Sequence, residues 1–474
     1  MITFCISLGL LVLGYVIYGR IIERIFGANA NNKTPALRLQ DGVDYIPMKP
    51  WRIFLIQFLN IAGVGPIFGA IMGAAFGSSS FLWIVFGSIF AGGVHDYLAG
   101  IISLRHNGTS LPEIHGLYLG KIVKNIMRVF MLVLLILVGA VFVSAPANLL
   151  AAITSSSATI WIAIIFAYYL IATLLPIDKI IGRIYPLFGI SLLIMVFGIM
   201  ISLFYYHVSI PEIWDGLQNT HPKADAMPIF PMLFVTIACG AISGFHATQS
   251  PLMARCMTNE RYARPIFYGS MITEGIVALV WAAAATYFFH NPAFNHSMTP
   301  AEIVNFLCQS WMGPVGAILA MLGVVAAPIT SGDTALRSAR LIFADMVHYD
   351  QKPIRNRLFV TLPLFVMSFL ILLFSLYNAD GFDIIWRYFA WCNQVLATVT
   401  LWAISVYLRR KKKCYFVSLI PALFMTMVCC SYILITHDGG FGLSPYLAYS
   451  IAGIISTIFL CTFYKMVKQK NDQF

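Results

Sequence analysis

The chain has 474 residues, 59% of them hydrophobic and only 10% charged, and its mean hydropathy is +0.82. Soluble domains carry roughly 45–50% apolar and about 25% charged residues, so a water-soluble fold is excluded and an all-α polytopic membrane protein is expected. The net charge of +11 would point to a nucleic-acid partner only if the basic residues shared one surface.

Taken in chain order, apolar stretches near the ~20 residues that cross a bilayer occupy 2–19, 52–74, 80–104, 126–151, 158–176, 184–206, 229–254, 265–289, 313–340, 358–377, 384–408, 416–436 and 444–465. Of the 30 Lys and Arg residues, all but Lys223 and Arg387 fall in the odd-numbered connections, in the stretch ends that border them, or in the C-terminal tail and the stretch end that borders it. This is the positive-inside pattern. It places the N-terminus outside and the C-terminus in the cytoplasm, and it assigns the positive charge to topology, leaving the lipid bilayer and a small solute as partners, with no nucleic acid. The tract Arg409-Arg410-Lys411-Lys412-Lys413 reads as an inner-leaflet anchor. The stretch from Ile2 to Tyr18 has neither a basic leader nor a small-residue cleavage site and reads as a retained span. Nine cysteines without a Cys-x-x-Cys spacing read as buried free thiols. The longest connections, 20–52 and 105–125 inside and 207–228 and 290–312 outside, are lids at most, so residues 1–474 are expected to form one transmembrane unit.

Gly87-Ser88-Ile89-Phe90-Ala91-Gly92-Gly93 resembles Gly269-Ser270-Met271-Ile272-Thr273-Glu274-Gly275, and the same offset lays the glycine-rich middle of the second stretch over that of the seventh. Five stretches separate the copies, and an odd number inverts the second copy in the membrane. Residues 52–206 and 229–408 are therefore candidate inverted halves, as in secondary transporters. One extra helix precedes them at 2–19 and two follow at 416–465.

Within these halves, Asn60-Ile61-Ala62-Gly63-Val64-Gly65-Pro66 and Cys239-Gly240-Ala241-Ile242-Ser243-Gly244-Phe245-His246-Ala247-Thr248-Gln249-Ser250-Pro251 combine glycines with a proline. Proline removes a helical hydrogen bond and clashes with the preceding turn, so both helices are expected to break near mid-membrane. Freed amides can hold a carboxylate and freed carbonyls a cation; the alternative is close packing through small residues. Asn60, Gly63, Gly65, Ser243, His246, Thr248 and Gln249 are the candidate substrate-binding residues, joined by the polar pair Asn393-Gln394, which either touches substrate or fastens helices.

Charges at membrane depth cost at least ~2.5–3.5 kcal/mol. Three acids stand there: Asp96, Glu274 and Asp333. Glu274 lies ten residues beyond Arg264, about 15 Å along a helix, and a carboxyl at that depth can exchange a proton near neutral pH. It is the first candidate for proton coupling. Asp96, after His95, is either a second coupling group or the partner of a loop arginine; Asp333, four residues before Arg337, is expected to form a salt bridge along its helix. Ala62, Thr330 and Ser331 offer oxygen ligands to a small hard cation such as sodium, although Ser and Thr also bond back to their own helix. Neither a nucleotide-binding loop nor a metalloprotease motif is present. No enzyme activity and no cofactor are expected; the coupling ion is a proton or, alternatively, sodium.

The stretches Thr34-Pro35-Ala36, Asp41-Gly42-Val43-Asp44-Tyr45-Ile46-Pro47, Ile61 to Ile67, Ala91-Gly92-Gly93-Val94-His95-Asp96-Tyr97, Ile237 to His246, Asp333-Thr334-Ala335-Leu336-Arg337 and Asn393-Gln394-Val395-Leu396-Ala397 resemble the signature of the carbon starvation protein A (CstA) family. The resemblance implies a fold of the amino acid–polyamine–organocation superfamily with a LeuT-type five-plus-five inverted repeat in a bacterial cytoplasmic membrane. It also implies uptake of peptides or, with protons, of pyruvate under carbon limitation; the alternative reading is a transporter fold kept as a non-cycling nutrient sensor. The chain departs from longer members at Ile56 and Gln57, where they carry a histidine pair, and at Gly69-Ala70, where many carry glycine-proline. It also lacks their extra C-terminal part.

Overall fold

The computed structural model describes residues 1–471 apart from 43, 155, 175–176, 291–297, 350–352, 379–380 and 438. All regular structure among the described residues is helical. Ten helices are long and apolar enough to cross a membrane, eleven when Pro50–Ile61 and Gly65–Phe76, bent by 46°, are counted as one span. Each coincides with an expected stretch. The other two expected stretches differ. Residues 158–176 supply Ala158–Thr173, which is shorter than a full span, and 175–176 lie outside the described residues. Residues 229–254 supply two short helices, Ile229–Thr236 and Gly244–Ala254. Among the described residues, ten or eleven of the thirteen expected stretches thus form full-length spans.

A second correction concerns the connection 290–312. Residues 291–297 lie outside the described part, but a helix starts at Pro300 and runs to Ala320, bent at Gly313, where φ is 60°. Thr299 caps it: Glu302 N–H donates to Thr299 Oγ1 at 3.4 Å, and Thr299 N–H donates to Glu302 Oε2 at 2.7 Å. That Thr-Pro-x-Glu run is a capping box with proline in the first turn, a helix-start signal inside what reads as a loop.

Large apolar side chains such as Ile122, Leu187, Phe359 and Tyr446 are exposed, as expected where the solvent is lipid. Polar side chains collect inside. Arg337 and Arg340 are both buried and donate to the carbonyls of Ala172 and Thr173, each at 2.7 Å. They satisfy the C-terminal end of the helix Ala158–Leu174, where a cation also meets the negative end of the helix dipole. Tyr169 Oη donates to the carbonyls of Phe142 and Pro328, fastening that helix to two neighbours.

The two glycine-rich copies pack against each other. A Cβ on Gly275 would lie 2.5 Å from Ser88 Oγ, and one on Gly92 would lie 3.0 Å from Met271 Sδ and 2.2 Å from the carbonyl oxygen of Ala241. The chain winds wide over Gly87–Gly92, and Tyr268 Oη donates to the Ile89 carbonyl there at 2.8 Å. Small side chains are thus required where the halves meet. Gly92→Val should lower the melting temperature of the purified protein by several degrees, because overpacking costs about 1–3 kcal/mol. Gly9→Val, with open space around its Cβ, should leave it unchanged. Equal melting of the two variants would contradict this packing.

Candidate functional site

The two broken helices cross at their breaks. In the first, Pro50–Ile61 ends and Gly65–Gly73 begins after Ala62, Gly63 and Val64. In the second, residues 237–243 separate Ile229–Thr236 from Gly244–Ala254. A Cβ on Gly65 would stand 2.4 Å from Cys239 Sγ, one on Gly69 2.8 Å from the Thr236 carbonyl, and one on Gly240 2.4 Å from Ala278 Cβ. Glycine is therefore used here for close approach of two backbones rather than for unusual dihedrals.

Side chains from a third and a fourth helix satisfy the backbone that the second break frees. Trp83 Nε1 donates to the Ile237 carbonyl at 2.9 Å, and Ser88 Oγ to the Gly240 carbonyl at 3.0 Å. Asn393 takes the amide of Phe245 on its Oδ1 at 2.6 Å and donates through Nδ2 to Ser243 Oγ at 2.8 Å. It thereby caps Gly244–Ala254 from another helix, as an N-cap side chain would. Gln394 Nε2 donates to the Phe234 carbonyl at 3.0 Å. The polar pair expected either to touch substrate or to fasten helices thus fastens the broken helix. Trp83 and Ser88 were not legible as site residues, since an isolated Trp or Ser in an apolar span carries no signal for a carbonyl several helices away.

Behind this break, three elements bring four ionisable side chains together. His246 stands on the first turn of Gly244–Ala254; its Nδ1 lies 2.9 Å from Asp96 Oδ2 and its Nε2 3.3 Å from Glu274 Oε2. Asp96 Oδ1 in turn lies 2.7 Å from His95 Nδ1. All four side chains are fully buried, and the described ion pairs bring no Lys or Arg to Asp96 or Glu274. The loop arginine considered for Asp96 is replaced by two histidines. The His246 that meets both carboxylates stands at the N-terminus of Gly244–Ala254, where the helix dipole favours negative charge nearby. With so few compensating charges, a proton moved on one member is felt by the others. Cys239, His246 and Glu274 offer donor atoms within 4.8 Å of one another, a spacing that could fit a metal ion. His246 Nδ1 is taken by Asp96, whereas His246 Nε2 and both Glu274 oxygens have no hydrogen-bond partner within the protein; the donor set therefore suits a metal ion or a proton shared between Nε2 and Glu274, and we read the group as an acid–base cluster. His115, in the short connecting helix Leu111–Leu119, follows on the far side of His95: burial, with His95 nearby, pushes its imidazole down to about 3, and its Nε2 meets Thr400 Oγ1 at 3.2 Å.

The remaining candidates lie beside the first break. Asn60 is fully buried; Thr334 Oγ1 donates to its Oδ1 at 3.5 Å, and its Nδ2 has no partner within the protein. Gln57, one turn earlier, is fully buried with both amide atoms unpartnered, as is Gln249 Oε1. Thr248 Oγ1 donates to the Phe245 carbonyl and accepts from Gln249. Gly63 sits against Ser331 Oγ and the ring of Phe142, each 3.2 Å from its Cβ position. Phe142 meets Phe245 and Phe389 edge-on at 6.0 and 5.9 Å. Ser331 Oγ is shared between the Leu59 carbonyl across the helix boundary at 3.1 Å and the Ala327 carbonyl of its own helix at 2.9 Å, whereas Thr330 Oγ1 bonds only to Ala327 at 2.8 Å. Ala62 N–H still bonds Phe58. Of the three candidate sodium ligands, Ala62 lies in the break itself and Ser331 reaches it from the neighbouring helix, while Thr330 turns back to its own helix. Asp333 is corrected: it accepts from Tyr185 Oη at 2.7 Å, the described ion pairs do not include Asp333 with Arg337, and Arg337 turns to Ala172.

A family model described as "Carbon starvation protein CstA" matches residues 1–162, 145–312 and 289–431. The chain belongs to the CstA family. Among its relatives, an uncharacterized membrane protein of Haemophilus influenzae is 48% identical over 340 residues, 61% of this chain and 91% of that one. The Campylobacter jejuni peptide transporter CstA is 29% identical over 335 residues, 57% of this chain and 47% of that one. The Escherichia coli pyruvate/proton symporter BtsT is 27% identical over 354 residues, 60% of this chain and 48% of that one. The chain thus spans about half the length of these two named CstA-family transporters. Among solved structures, MhsT in complex with L-phenylalanine superposes with a TM-score of 0.58 at 13% identity, covering 89% of this chain and 99% of that one. The CstA-family chain therefore shares the fold of that structure.

Removing the cap should expose how much the second break depends on it. Asn393→Leu leaves the Phe245 amide and Ser243 hydroxyl without their partner, at about 1–3 kcal/mol for each buried group left unsatisfied. A clearly lowered melting temperature is expected, and Gln394→Leu should cost less because it frees one carbonyl. An unchanged melting temperature for Asn393→Leu would show that the cap is dispensable.

Proposed function

We propose that this protein is a secondary importer of small carboxylated nutrients, pyruvate or short peptides, driven by protons and used under carbon limitation. The observation that carries the reading is His246 held between Asp96 and Glu274, with Cys239 of the same break against Gly65 of the first. A proton arriving at the cluster is therefore one contact from the helix break that would hold substrate. The substrate carboxylate sits on the amides around Gly63–Gly65, with Asn60, Gln57 and Gln249 as polar partners. The unpartnered donors Asn60 Nδ2 and Gln57 Nε2 support this placement, and the unpartnered Gln249 Oε1 suits an N–H or O–H donor of the solute.

The architecture proposed is thirteen membrane segments, some of them broken or short, with 52–206 and 229–408 as five-helix inverted halves. The first segment stands apart and the last two form a tail, all within one transmembrane domain. The N-terminus lies outside and the C-terminus in the cytoplasm of a bacterium, as the distribution of Lys and Arg supports. The protein acts on its solute without chemical change and without a cofactor.

Glu274→Gln should abolish concentrative uptake into proteoliposomes under an imposed proton gradient while sparing exchange of labelled for unlabelled substrate. Ser331→Ala should leave proton-driven uptake in place. Intact accumulation by Glu274→Gln, or uptake that follows a sodium gradient and fails in Ser331→Ala, would replace the proton with sodium. Failure of the purified protein to move either substrate would favour a non-cycling sensor.

A further inference from the structure

At the face of the molecule rich in Lys and Arg, the segment after the first helix encloses a cavity of about 310 Å³ lined by Asn32, Lys33, Thr34, Arg38, Arg105 and Glu260. That volume is at the small end of the range for small-molecule sites, about 300–1,000 Å³. Its walls are built from Glu260 and Arg105. Arg105 donates to both carboxylate oxygens of Glu260, at 3.1 and 2.9 Å, and to the Gly27 carbonyl at 2.8 Å. Glu260 also accepts from the Asn29 amide and from Asn32 Nδ2, both at 2.9 Å. Arg105 lies 4.4 Å over the Phe26 ring. The charges of Arg105 and Glu260 cancel.

Lys33 and Arg38 do not cancel: the described ion pairs give neither a carboxylate partner, and Arg38 spends one arm on the Asn107 side-chain oxygen. The cavity therefore carries two uncompensated positive charges. Between them Thr34 is 2% exposed, lines the cavity, and its hydroxyl has no hydrogen-bond partner within the protein. A buried hydroxyl left unpaired costs free energy, so its environment is made for an acceptor.

We propose that this cavity is a binding site for a phosphate group, supplied by free phosphate or a phosphate ester, or by the headgroup of an anionic phospholipid. Two cations suit a dianion, the remaining N–H groups of the Arg38 fork match paired phosphate oxygens, and Thr34 adds a neutral donor. Arg105 ends the helix that carries Asp96, and Glu260 opens the segment that carries Glu274. An occupant would thus brace the ends of the two helices that hold the acid–base cluster. The site does not depend on the transport reading.

The test uses the full chain in phosphatidylcholine nanodiscs and equilibrium dialysis against radiolabelled inorganic phosphate. Saturable binding is expected, competed by unlabelled phosphate but not by chloride at the same ionic strength. Lys33→Gln and Arg38→Gln should each weaken it roughly tenfold, the worth of one charge-assisted hydrogen bond; Thr34→Val should weaken it several-fold. Lys33 is exposed, so its substitution reads binding without disturbing the fold. If phosphate does not bind but phosphatidylglycerol in mixed nanodiscs stays on the protein in native mass spectra and is lost in both charge variants, the headgroup is the ligand. Failure of both probes, or binding indifferent to Lys33→Gln and Arg38→Gln, overturns the site.

Discussion

A helix that breaks inside a bilayer exposes amides and carbonyls that lipid cannot satisfy, and this chain breaks two helices at one place. The crossing of Gly65 and Gly69 against Cys239 and Thr236 brings the two backbones together. The freed groups of the second break are taken up by Trp83, Ser88 and Asn393, which come from helices far apart in sequence. The remaining helices are arranged around that satisfaction problem, which is why so many buried polar side chains lie in the middle of an otherwise apolar protein. Where side chains take up the Ile237 and Gly240 carbonyls and the Phe245 amide at the second break, the side chains of Gln57 and Asn60 beside the first keep unpartnered amide atoms. The proposed solute site uses the first break together with Gln249 from the helix that follows the second.

The acid–base cluster uses the same geometry. His246 reaches Asp96 and Glu274 only because the break starts a new helix at Gly244 and aims its first turn at the two neighbouring spans. Placing two carboxylates there without Lys or Arg is costly in a medium of low polarity, and the positive end of a helix offsets part of that cost. A cluster balanced in this way responds to a single proton, and through Cys239 it touches the other break.

Much of this was legible in the residues. Glycines located both breaks, with Pro66 opening the helix after the first but Pro251 lying inside the helix after the second, and the rarity of acids at membrane depth singled out Asp96 and Glu274. What remained hidden were contacts between distant helices. The meeting of His246 with both acids, the turn of Asp333 to Tyr185 rather than to Arg337, and the use of Asn393 as a cap all depend on packing across spans, where spacing along one helix is silent. The Asp333–Arg337 expectation failed because Arg337 finds the bare carbonyl end of a neighbouring helix at Ala172. The helix beginning at Pro300 was a different kind of miss, since Thr299-Pro300-Ala301-Glu302 carries its own start signal.

The central claim is that solute and proton move together through the crossed breaks. It is tested most directly by sealing a pH-sensitive dye inside proteoliposomes and adding pyruvate or a dipeptide outside, with no imposed ion gradient. The account predicts that the lumen acidifies as the labelled solute enters, and that His246→Asn loses the acidification. Entry of solute with an unchanged lumenal pH would contradict it.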